Sequence, residues 1–487
     1  MAERDKKGKK RKLAGVVLHQ SKEKNVEENG DDLWDIGRQI QGEVSNPPAK
    51  KRRSEMAEKL CSEADGRAMA NSPPAEAAEL DTSRPSAVFK PTKGRNWTVS
   101  IALTGSFLNN VKSYDQKVSL VGRIARAAAV FSVDEIIIFD DDPMFIPGFL
   151  DGSYRGSPND YWSSSSYLLS KMGKRARKAN SKSKTELLNE VPAEEEAYMN
   201  PDQFMYHVLS YLETPPHLRK YLFPRHANLN GAGKLPSLDM PHHMKAHEWC
   251  QYREGVTLPL PSSGKSKNNK RSNNKKEQEY SLVETGLPYP VKIPIPIPPD
   301  MRVTLKFTNG EPPSWPNLSQ KEVESLEVEA VNPATPREEA GYYWGYTVRR
   351  AESLSAVYTE SPFLPNGYDF TIGTSERGVP LSTILPNSPT VKNNKNSATS
   401  PYCANKLLDQ FEHLLLVFGG VAGLEPAVAN DPEIQNKMEL PKERASEAFD
   451  AWVNLVPGQG SRTIRTEEAV WLGLMGLRDY VARNGER

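Results

Sequence analysis

Apolar positions in this chain occur in short unbroken runs that are separated by loops and by long polar stretches. Four such runs are Trp97–Leu103, Asp134–Asp140, His413–Phe418 and Ala451–Val456. A run without polar alternation is typical of a strand that is buried on both faces of a parallel sheet. Between the first two runs, residues 116–131 place apolar side chains on one helical face, so this stretch predicts a right-handed βαβ unit.

Further apolar segments extend the same α/β pattern. Gly341–Arg349 and Tyr368–Gly373 are predicted to be strands, and Pro201–Leu212 and Thr466–Val481 are predicted to be helices. Strands that alternate with helices favour a parallel sheet covered on both faces, so the fold class is predicted to be α/β.

The sequence pattern changes over residues 255–340, where short β-rich runs are separated by prolines and glycines. Several short strands with turns between them predict a small β-barrel. This barrel would divide the α/β domain into an N-terminal part, residues 94–254, and a C-terminal part, residues 341–487. The β-rich runs are Val256–Leu258, Val291–Ile293, Met301–Phe307 and Val323–Val331.

The polar stretches predict disordered segments and a nuclear import signal. Residues 1–93 have few large apolar side chains, so they are expected to be a disordered tail. The tail carries two compact basic clusters, Lys6–Lys12 and Lys50–Arg53, which favour binding to a nuclear import receptor over a plain solvated charge run. Residues 151–196 and 379–406 are expected to be partly disordered insertions. The predicted location is the nucleus, or within it the nucleolus.

Three predicted strands end in glycine-containing loops. Gly373 is followed by a short polar loop, and the other two loops begin at Gly419 and Gly458. Ligands of parallel sheets bind at the carboxyl ends of strands, where glycine allows close backbone approach, although glycine also serves plain tight turns. The loops match neither the dinucleotide-binding nor the P-loop pattern, so a dinucleotide-dependent oxidoreductase is set aside.

The sequence of the last loop resembles that of a known protein family. Gly458–Ala469 has the sequence GQGSRTIRTEEA and resembles the last knot loop of SPOUT methyltransferases. Bacterial rRNA uridine-N3 methyltransferases carry a similar LGxRILRxETA there and a GPEGG-like loop one strand earlier. The resemblance is closer to eukaryotic and archaeal SPOUT-domain proteins with a nucleic-acid-binding insert, over Trp97–Phe139, Tyr206–Gly255 and Gly341–Ala469.

The resemblance implies a fold and a cofactor. The α/β domain would contain a trefoil knot, in which the last helix threads through a preceding loop, and the barrel would be OB-like. Three loop ends would then hold S-adenosylmethionine (SAM) through backbone contacts. The residues expected at the cofactor are Gly373, Thr374, Val417, Phe418, Gly419, Gly420, Leu455, Gly458, Gln459, Gly460, Ser461, Thr463 and Ile464.

The resemblance also implies a reaction, methylation of RNA, with rRNA and uridine N3 as the expected targets. Removal of the N3 proton leaves an anion that an arginine can stabilise. Arg462 and Arg465 leave the last loop three residues apart, and Glu376 and Arg377 are further catalytic candidates. A phosphate clamp or a structural ion pair is an equally good interpretation of each arginine. The sequence offers no obvious nucleophile, as expected for direct transfer.

Composition limits the alternatives. The chain has 487 residues with 63 basic and 62 acidic side chains, so any basic surface must be local. Its three cysteines are widely spaced and indicate neither a disulfide framework nor a metal clip. His243 and His247 stand four apart, and Asp140 begins an acidic triplet, yet neither pattern has the partners of a metal site, so none is expected. No apolar run approaches 18 residues, and no membrane contact is expected.

RNA and a second copy of the chain are the predicted partners. Lys265–Lys276 would place cations on one barrel loop, where they can contact phosphates. The last helix has more apolar positions than one core-facing stripe needs, which favours a homodimer, although both faces could pack within one subunit. The alternative function is a non-catalytic RNA-binding or scaffold protein built on a methyltransferase fold.

Overall fold

A computed structural model describes Pro91 and residues 93–142, 184–245, 247–260, 280–386 and 406–486. Several sequence predictions lie outside these residues. They are the two basic clusters of the tail, most of the insertions at 151–196 and 379–406, and the lysine-rich loop Lys265–Lys276. The described residues include most of the predicted barrel insert and of both predicted parts of the α/β domain.

The described residues form strands and helices along the whole of the covered chain. In chain order, the strands are β1 (Thr98–Thr104), β2 (Glu135–Phe139), β3 (Tyr252–Leu258), β4 (Ser281–Glu284), β5 (Val291–Ile293), β6 (Arg302–Phe307), β7 (Val328–Val331), β8 (Thr347–Ala351), β9 (Phe370–Pro380), β10 (His413–Phe418) and β11 (Ala451–Asn454). The helices are α1 (Tyr114–Val130), α2 (Lys184–Asn189), α3 (Glu196–Met199), α4 (Pro201–Glu213), α5 (Pro216–Leu222), α6 (Gln320–Glu324), α7 (Thr335–Ala340), α8 (Leu354–Thr359), α9 (Leu381–Ile384), α10 (Glu425–Asn430), α11 (Pro432–Met438), α12 (Thr466–Gly476) and α13 (Arg478–Glu486). Short 3-10 helices cover Gly105–Asn110, Ala227–Leu229, Ala232–Lys234 and Lys442–Ala448.

Six of the strands form one parallel sheet, which confirms the predicted α/β class. Its order is β11, β9, β10, β1, β2 and β8, and every neighbouring pair is parallel. The central strands are in register, so that Leu103 pairs with Phe418 and Gly373 pairs with Val417. The carboxyl ends of β1, β9 and β10 therefore lie side by side.

The unbroken apolar runs arise because both faces of this sheet are covered. Leu414, Leu416 and Phe418 belong to a core that also includes side chains of α1, α4 and α12. The alternate residues Leu415 and Val417 belong to a second core, with side chains of α8, α10 and α11. Since successive side chains of a strand point to opposite faces, every position of β10 except its first is buried.

The remaining five strands form a separate antiparallel sheet over residues 252–331. Its order is β5, β4, β3, β6 and β7, and all pairs are antiparallel. The sheet is curled, because Cα atoms of its two edge strands, β5 and β7, approach within 8 Å of each other. A small core of its own fills the concave side, with Phe307 and Leu305 fully buried.

A buried ion cluster joins the antiparallel sheet to α4, the helix that packs beside β2 and β8 of the parallel sheet. Arg302 of β6 donates from both terminal nitrogens to Glu213 at the end of α4, over 2.6 and 3.0 Å. Its Nε donates to Glu254 of β3 over 2.6 Å. Both carboxylates are almost fully buried, so the guanidinium is their shared counter-ion. His242 also reaches Glu213, with Nε2 2.9 Å from Oε1.

The structure corrects several predicted boundaries. Gly341–Arg349 is not one strand: β8 begins only at Thr347, because Gly341 and Gly345 adopt positive φ angles of 78° and 87°, which break an extended chain. The predicted helix Thr466–Val481 is two helices that meet at Leu477. Val323–Val331 begins as the short helix α6 rather than as a strand, and β4 was not predicted at all.

Candidate functional site

Three loops meet at the carboxyl edge of the parallel sheet and enclose a cavity of about 330 Å³. Two of these loops follow β10 and β11. The third is a bulge within β9. The pairing of β9 with β11 jumps from Gly373 to Val379, so Thr374–Gly378 arches out of the sheet towards the cavity. The lining residues are Thr374, Ser375, Glu376, Arg377, Phe418, Gly419, Gly420, Val421, Ala422, Gly423, Glu425, Asn454, Leu455, Gln459, Thr463, Ile464, Thr466 and Ala469.

Two glycines of the β10 loop are required by close packing. A Cβ atom on Gly419 would collide with the backbone of Gly423, and one on Gly420 would lie 2.5 Å from Ser106 Oγ and 2.8 Å from Thr104 Oγ1. No ordinary side chain fits at either position without movement of its surroundings. The loop therefore presents bare backbone to the cavity, which a ligand can approach closely.

Hydrogen bonds fix the three loops relative to one another. Thr374 Oγ1 donates to the carbonyl oxygen of Val417 over 3.0 Å, and Thr466 Oγ1 donates to that of Gly419 over 3.0 Å. Asn454 Nδ2 donates to the carbonyl oxygen of Glu376 over 2.8 Å. Each bond joins segments that are distant in sequence, so the cavity wall is built before a ligand arrives.

One ion pair crosses the cavity wall. Arg377 donates to Glu425 Oε1 over 3.2 Å, and the two side chains are 61% and 14% exposed. Glu425 is the first residue of α10, directly after the glycine loop of β10. The pair places an acceptor and a cationic donor at the same cavity, which suits a ligand that carries both kinds of polar group.

The structure brings together most, though not all, of the residues predicted for the cofactor. Eight of the thirteen line this cavity: Thr374, Phe418, Gly419, Gly420, Leu455, Gln459, Thr463 and Ile464. Gly373 and Val417 are paired strand residues that immediately precede lining residues. Gly458 lies in the last loop, outside the wall, with a φ angle of 76°. Gly460 and Ser461 border a neighbouring cavity instead.

This second cavity, of about 800 Å³, lies beside the first and shares Gln459, Thr463 and Ile464 with it. It opens between the last loop, the start of α12 and the exposed face of α1. Its lining residues are Arg123, Val456, Gln459, Gly460, Ser461, Thr463, Ile464, Arg465, Glu467, Glu468, Trp471 and Leu472.

The four catalytic candidates are divided between the two cavities. Glu376 and Arg377 line the first, and Arg465 lines the second. Arg462 is exposed in the loop between them and lines neither. Arg465 is not held by an ion pair to Glu468; the Glu468 carboxylate instead accepts a hydrogen bond from the backbone N–H of Arg465 over 3.0 Å.

Several lining residues were missed by the sequence analysis. Val421, Ala422 and Gly423 simply continue a loop whose first two glycines were selected, so their position was the available signal. Asn454 ends β11 and Thr466 begins α12, and strand ends and helix starts are common ligand positions. Glu425, Ser375 and Ala469 carried no signal of their own, because their proximity depends on how the loops fold back.

The residues considered for metal binding are used elsewhere. His243 is buried, and its Nε2 donates to the carbonyl oxygen of Glu213 over 2.6 Å, whereas His247 is exposed. The carboxylate of Asp141 accepts a hydrogen bond from Ser106 Oγ, and burial raises its pKa. Over the covered ranges, no group of three or more His, Cys, Asp or Glu side chains is placed to hold a metal ion. No described helix is long and apolar enough to cross a membrane.

Comparison with known proteins identifies the family of this chain. A family described as "Putative RNA methyltransferase" matches residues 98–477. The chain is 34% identical over 402 residues to a human 28S rRNA (uridine-N(3))-methyltransferase, and this alignment covers 82% of this chain and 83% of the human protein. It is 35% identical over 395 residues to the mouse protein of that name, covering 81% and 80%, and 34% identical over 387 residues to the Drosophila melanogaster one, covering 78% and 62%. The chain belongs to this family of RNA methyltransferases.

Proposed function

We propose that this protein transfers a methyl group from SAM to N3 of a uridine in 28S ribosomal RNA. The name and the coverage of the human, mouse and Drosophila relatives support the substrate. The observation that carries the proposal is the cavity that three loop ends enclose at the carboxyl edge of the parallel sheet.

The residues of this cavity fit the proposed cofactor. Its volume of about 330 Å³ lies at the lower end of the range of small-molecule sites, roughly 300–1,000 Å³. Gly419 and Gly420 pack so closely against the protein that no side chain fits there, so the loop offers bare backbone groups to a ligand. Backbone groups of the three loops would hold the adenosine and methionyl parts, and Glu425 offers an acceptor for a hydroxyl or ammonium group. When bound, the cofactor supplies an activated methyl group, so the protein supplies alignment.

Catalytic roles are proposed for polar residues at the two cavities. Arg465 borders the second cavity, where its guanidinium can stabilise negative charge on a uracil oxygen. Glu376 and Arg377 border the first cavity and would position the reacting groups. Arg462 is exposed at the loop tip and is assigned to a phosphate of the RNA.

The finer architecture is also proposed. Strand β11 lies at the sheet edge, yet α12 returns to the centre, where Thr466 bonds to the end of β10 and Val470 joins the core. That return supports a trefoil knot through which the last helix is threaded. The curled five-stranded antiparallel sheet supports an OB-like module inserted into a SPOUT domain. The predicted boundaries are residues 254 and 341, and β3 of this sheet begins just before the first of them, at Tyr252.

A homodimer and a nuclear location complete the proposal. Leu472 and Met475 of α12 are 40% and 63% exposed, which leaves an apolar surface for a second copy of the chain. Modification of ribosomal RNA agrees with import into the nucleus and nucleolus through Lys6–Lys12 and Lys50–Arg53. These clusters lie outside the described residues, so the import receptor is proposed from sequence alone.

Calorimetry with SAM tests the cofactor and separates an enzyme from a non-catalytic scaffold. Ala422 is an exposed residue of the cavity wall, so Ala422→Trp should abolish binding while the melting temperature of the free protein stays the same. Gly310→Trp is the control, because a side chain at Gly310 meets nothing within 4 Å and lies in the loop after β6 of the separate sheet. Mapping of methylated bases in 28S rRNA, with and without the protein, then tests the substrate. No binding heat with the unmodified protein would favour the scaffold.

A further inference from the structure

The second cavity is bordered by a buried carboxylate, one oxygen of which lacks a hydrogen-bond donor. Glu467, in the first turn of α12, borders this cavity and is only 3% exposed. Its Oε1 atom is buried and has no hydrogen-bond partner among the described residues. Buried carboxylate oxygens are nearly always paired, because an unpaired one forfeits its hydration without compensation.

The helix terminus alone does not account for this burial. Acidic side chains in a first turn interact favourably with the helix dipole. Glu468, the next residue, does this while exposed, and it accepts the N–H of Arg465 over 3.0 Å. Glu467 is also acidic, but it is withdrawn from water at the cavity wall. Rotation about its terminal bond, which is broad in carboxylates, can turn either oxygen towards the cavity.

We propose that the second cavity receives the target uracil base and that Glu467 accepts its N3 proton. This inference rests on the proposed methyltransferase function and adds the residue that activates the substrate. The N3–H of uracil is a donor flanked by two carbonyl oxygens. The cavity offers the complementary set, because Glu467 supplies an acceptor while Arg123 and Arg465 supply donors.

The position of the cavity fits a direct transfer. Gln459, Thr463 and Ile464 line both cavities, so a base in the second lies next to a methyl donor in the first. The N3 proton moves to the Glu467 carboxylate, and the electron pair left on N3 forms the new nitrogen–carbon bond as the carbon–sulfur bond of the donor breaks, with its electrons remaining on sulfur. The Glu467 carboxyl group then releases its proton to water.

The first test is the pH dependence of methylation by Glu467→Gln, an isosteric change that keeps an acceptor but removes the base. A positioned proton acceptor contributes roughly 10²–10⁴-fold. We expect a loss of that order at neutral pH, and a rate that rises steeply with pH as hydroxide takes over. Glu443→Gln, on the exposed surface and in neither cavity, is the matched control and should behave like the unmodified protein.

The second test measures binding rather than activity. The probes are a single-stranded fragment of 28S rRNA with the target uridine, and the same fragment with N3-methyluridine, which has no N3–H. A hydrogen bond to a charged group should make the uridine fragment bind roughly tenfold to a hundredfold more tightly. Glu467→Ala should remove that preference, and Glu443→Ala should retain it.

The outcomes separate this inference from the function on which it rests. Absence of N3-methyluridine from the products of the unmodified protein would overturn both. Normal N3 methylation, together with an unchanged rate and pH profile in Glu467→Gln, would overturn only the role of Glu467. Thermal melting of each variant checks its folding, and equal binding of the two RNA fragments by the unmodified protein would overturn the proposal without recourse to any variant.

Discussion

Replacement of Arg302 by methionine should destabilise the protein strongly, because this residue is the shared counter-ion of two buried carboxylates. Arg302 makes three hydrogen bonds of 2.6–3.0 Å, two to Glu213 and one to Glu254. It lies on β6 of the antiparallel sheet, whereas Glu213 ends α4 beside the parallel sheet. Methionine keeps much of the length of the side chain while it removes the charge and every donor.

The magnitude follows from what remains around the two carboxylates. Glu213 and Glu254 are 8% and 2% exposed, whereas Arg302 is 31% exposed, so water can replace the lost guanidinium only in part, from the side on which Arg302 meets solvent. Removal of one partner from a buried ion pair costs about 3–5 kcal/mol. Glu254 keeps hydrogen bonds from Thr304 and Trp344, of 2.6 and 2.7 Å, and Glu213 keeps its contact with His242. These remaining donors place the expected loss near the lower end, at about 3 kcal/mol.

Urea unfolding at neutral pH, followed by tryptophan fluorescence, measures this loss. Trp344 lies in the cluster and reports on it directly, because its Nε1 donates to Glu254. Lys306→Met is the matched control on the same strand, since the ion pair of Lys306 with Glu339 is exposed on the Glu339 side, at 53%. Exposed pairs contribute only about 0.2–1 kcal/mol.

The pH dependence of the difference provides a second check. Burial alone would raise the pKa of Glu213, but Arg302 and His242 hold that pKa well below its usual range. Without Arg302, the pKa of Glu213 should rise, so the carboxyl group of the folded variant takes up its proton at a higher pH. The difference in unfolding free energy between the unmodified protein and Arg302→Met should therefore shrink as pH falls through about 4.5, the ordinary pKa of a glutamate. A loss at neutral pH no larger than that of Lys306→Met would refute the assignment of Arg302 as the counter-ion.

Three further predictions concern acid stability, the last helix and the cofactor loop. Burial and the neighbouring His242 lower the pKa of His243 from 6.5 to about 3. As pH falls, the unfolded chain therefore takes up this proton before the folded protein does, so the free energy of unfolding should decrease from about pH 6.5 towards pH 3. His243→Gln should reduce this pH dependence in urea titrations. Leu472→Glu combined with Met475→Glu should convert a dimer to a monomer in light scattering. The melting temperature of the subunit should not fall, because both side chains are exposed. A dimer that persists would place the interface elsewhere. Gly420→Ala should weaken SAM binding in calorimetry, since its Cβ would lie 2.5 Å from Ser106 Oγ and the loop must shift; unchanged affinity would show that this loop does not hold the cofactor.

Much of the parallel sheet was determined by sequence alone. The run His413–Phe418 is β10 to the residue, and Ala451 begins both the predicted and the observed β11. A strand that is buried on both faces must be apolar at every position, so its pattern is visible locally. The same holds for α1, whose apolar face follows the helical period, and whose start is extended to Tyr114 because the Ser113 side chain caps the backbone N–H of Gln116.

Only the tertiary structure decided which residues share a cavity. Strand β9 lies between β10 and β11, and its bulge at Thr374–Gly378 depends on pairing with a strand about 80 residues later. Glu425 and Asn454 enter the wall because the start of α10 and the end of β11 meet at the same edge of the sheet. Gly460 and Ser461 follow Gln459 directly in sequence, yet they line only the neighbouring cavity. A local pattern records burial and backbone freedom, but proximity between loops depends on strand order and register, which no single stretch of sequence specifies.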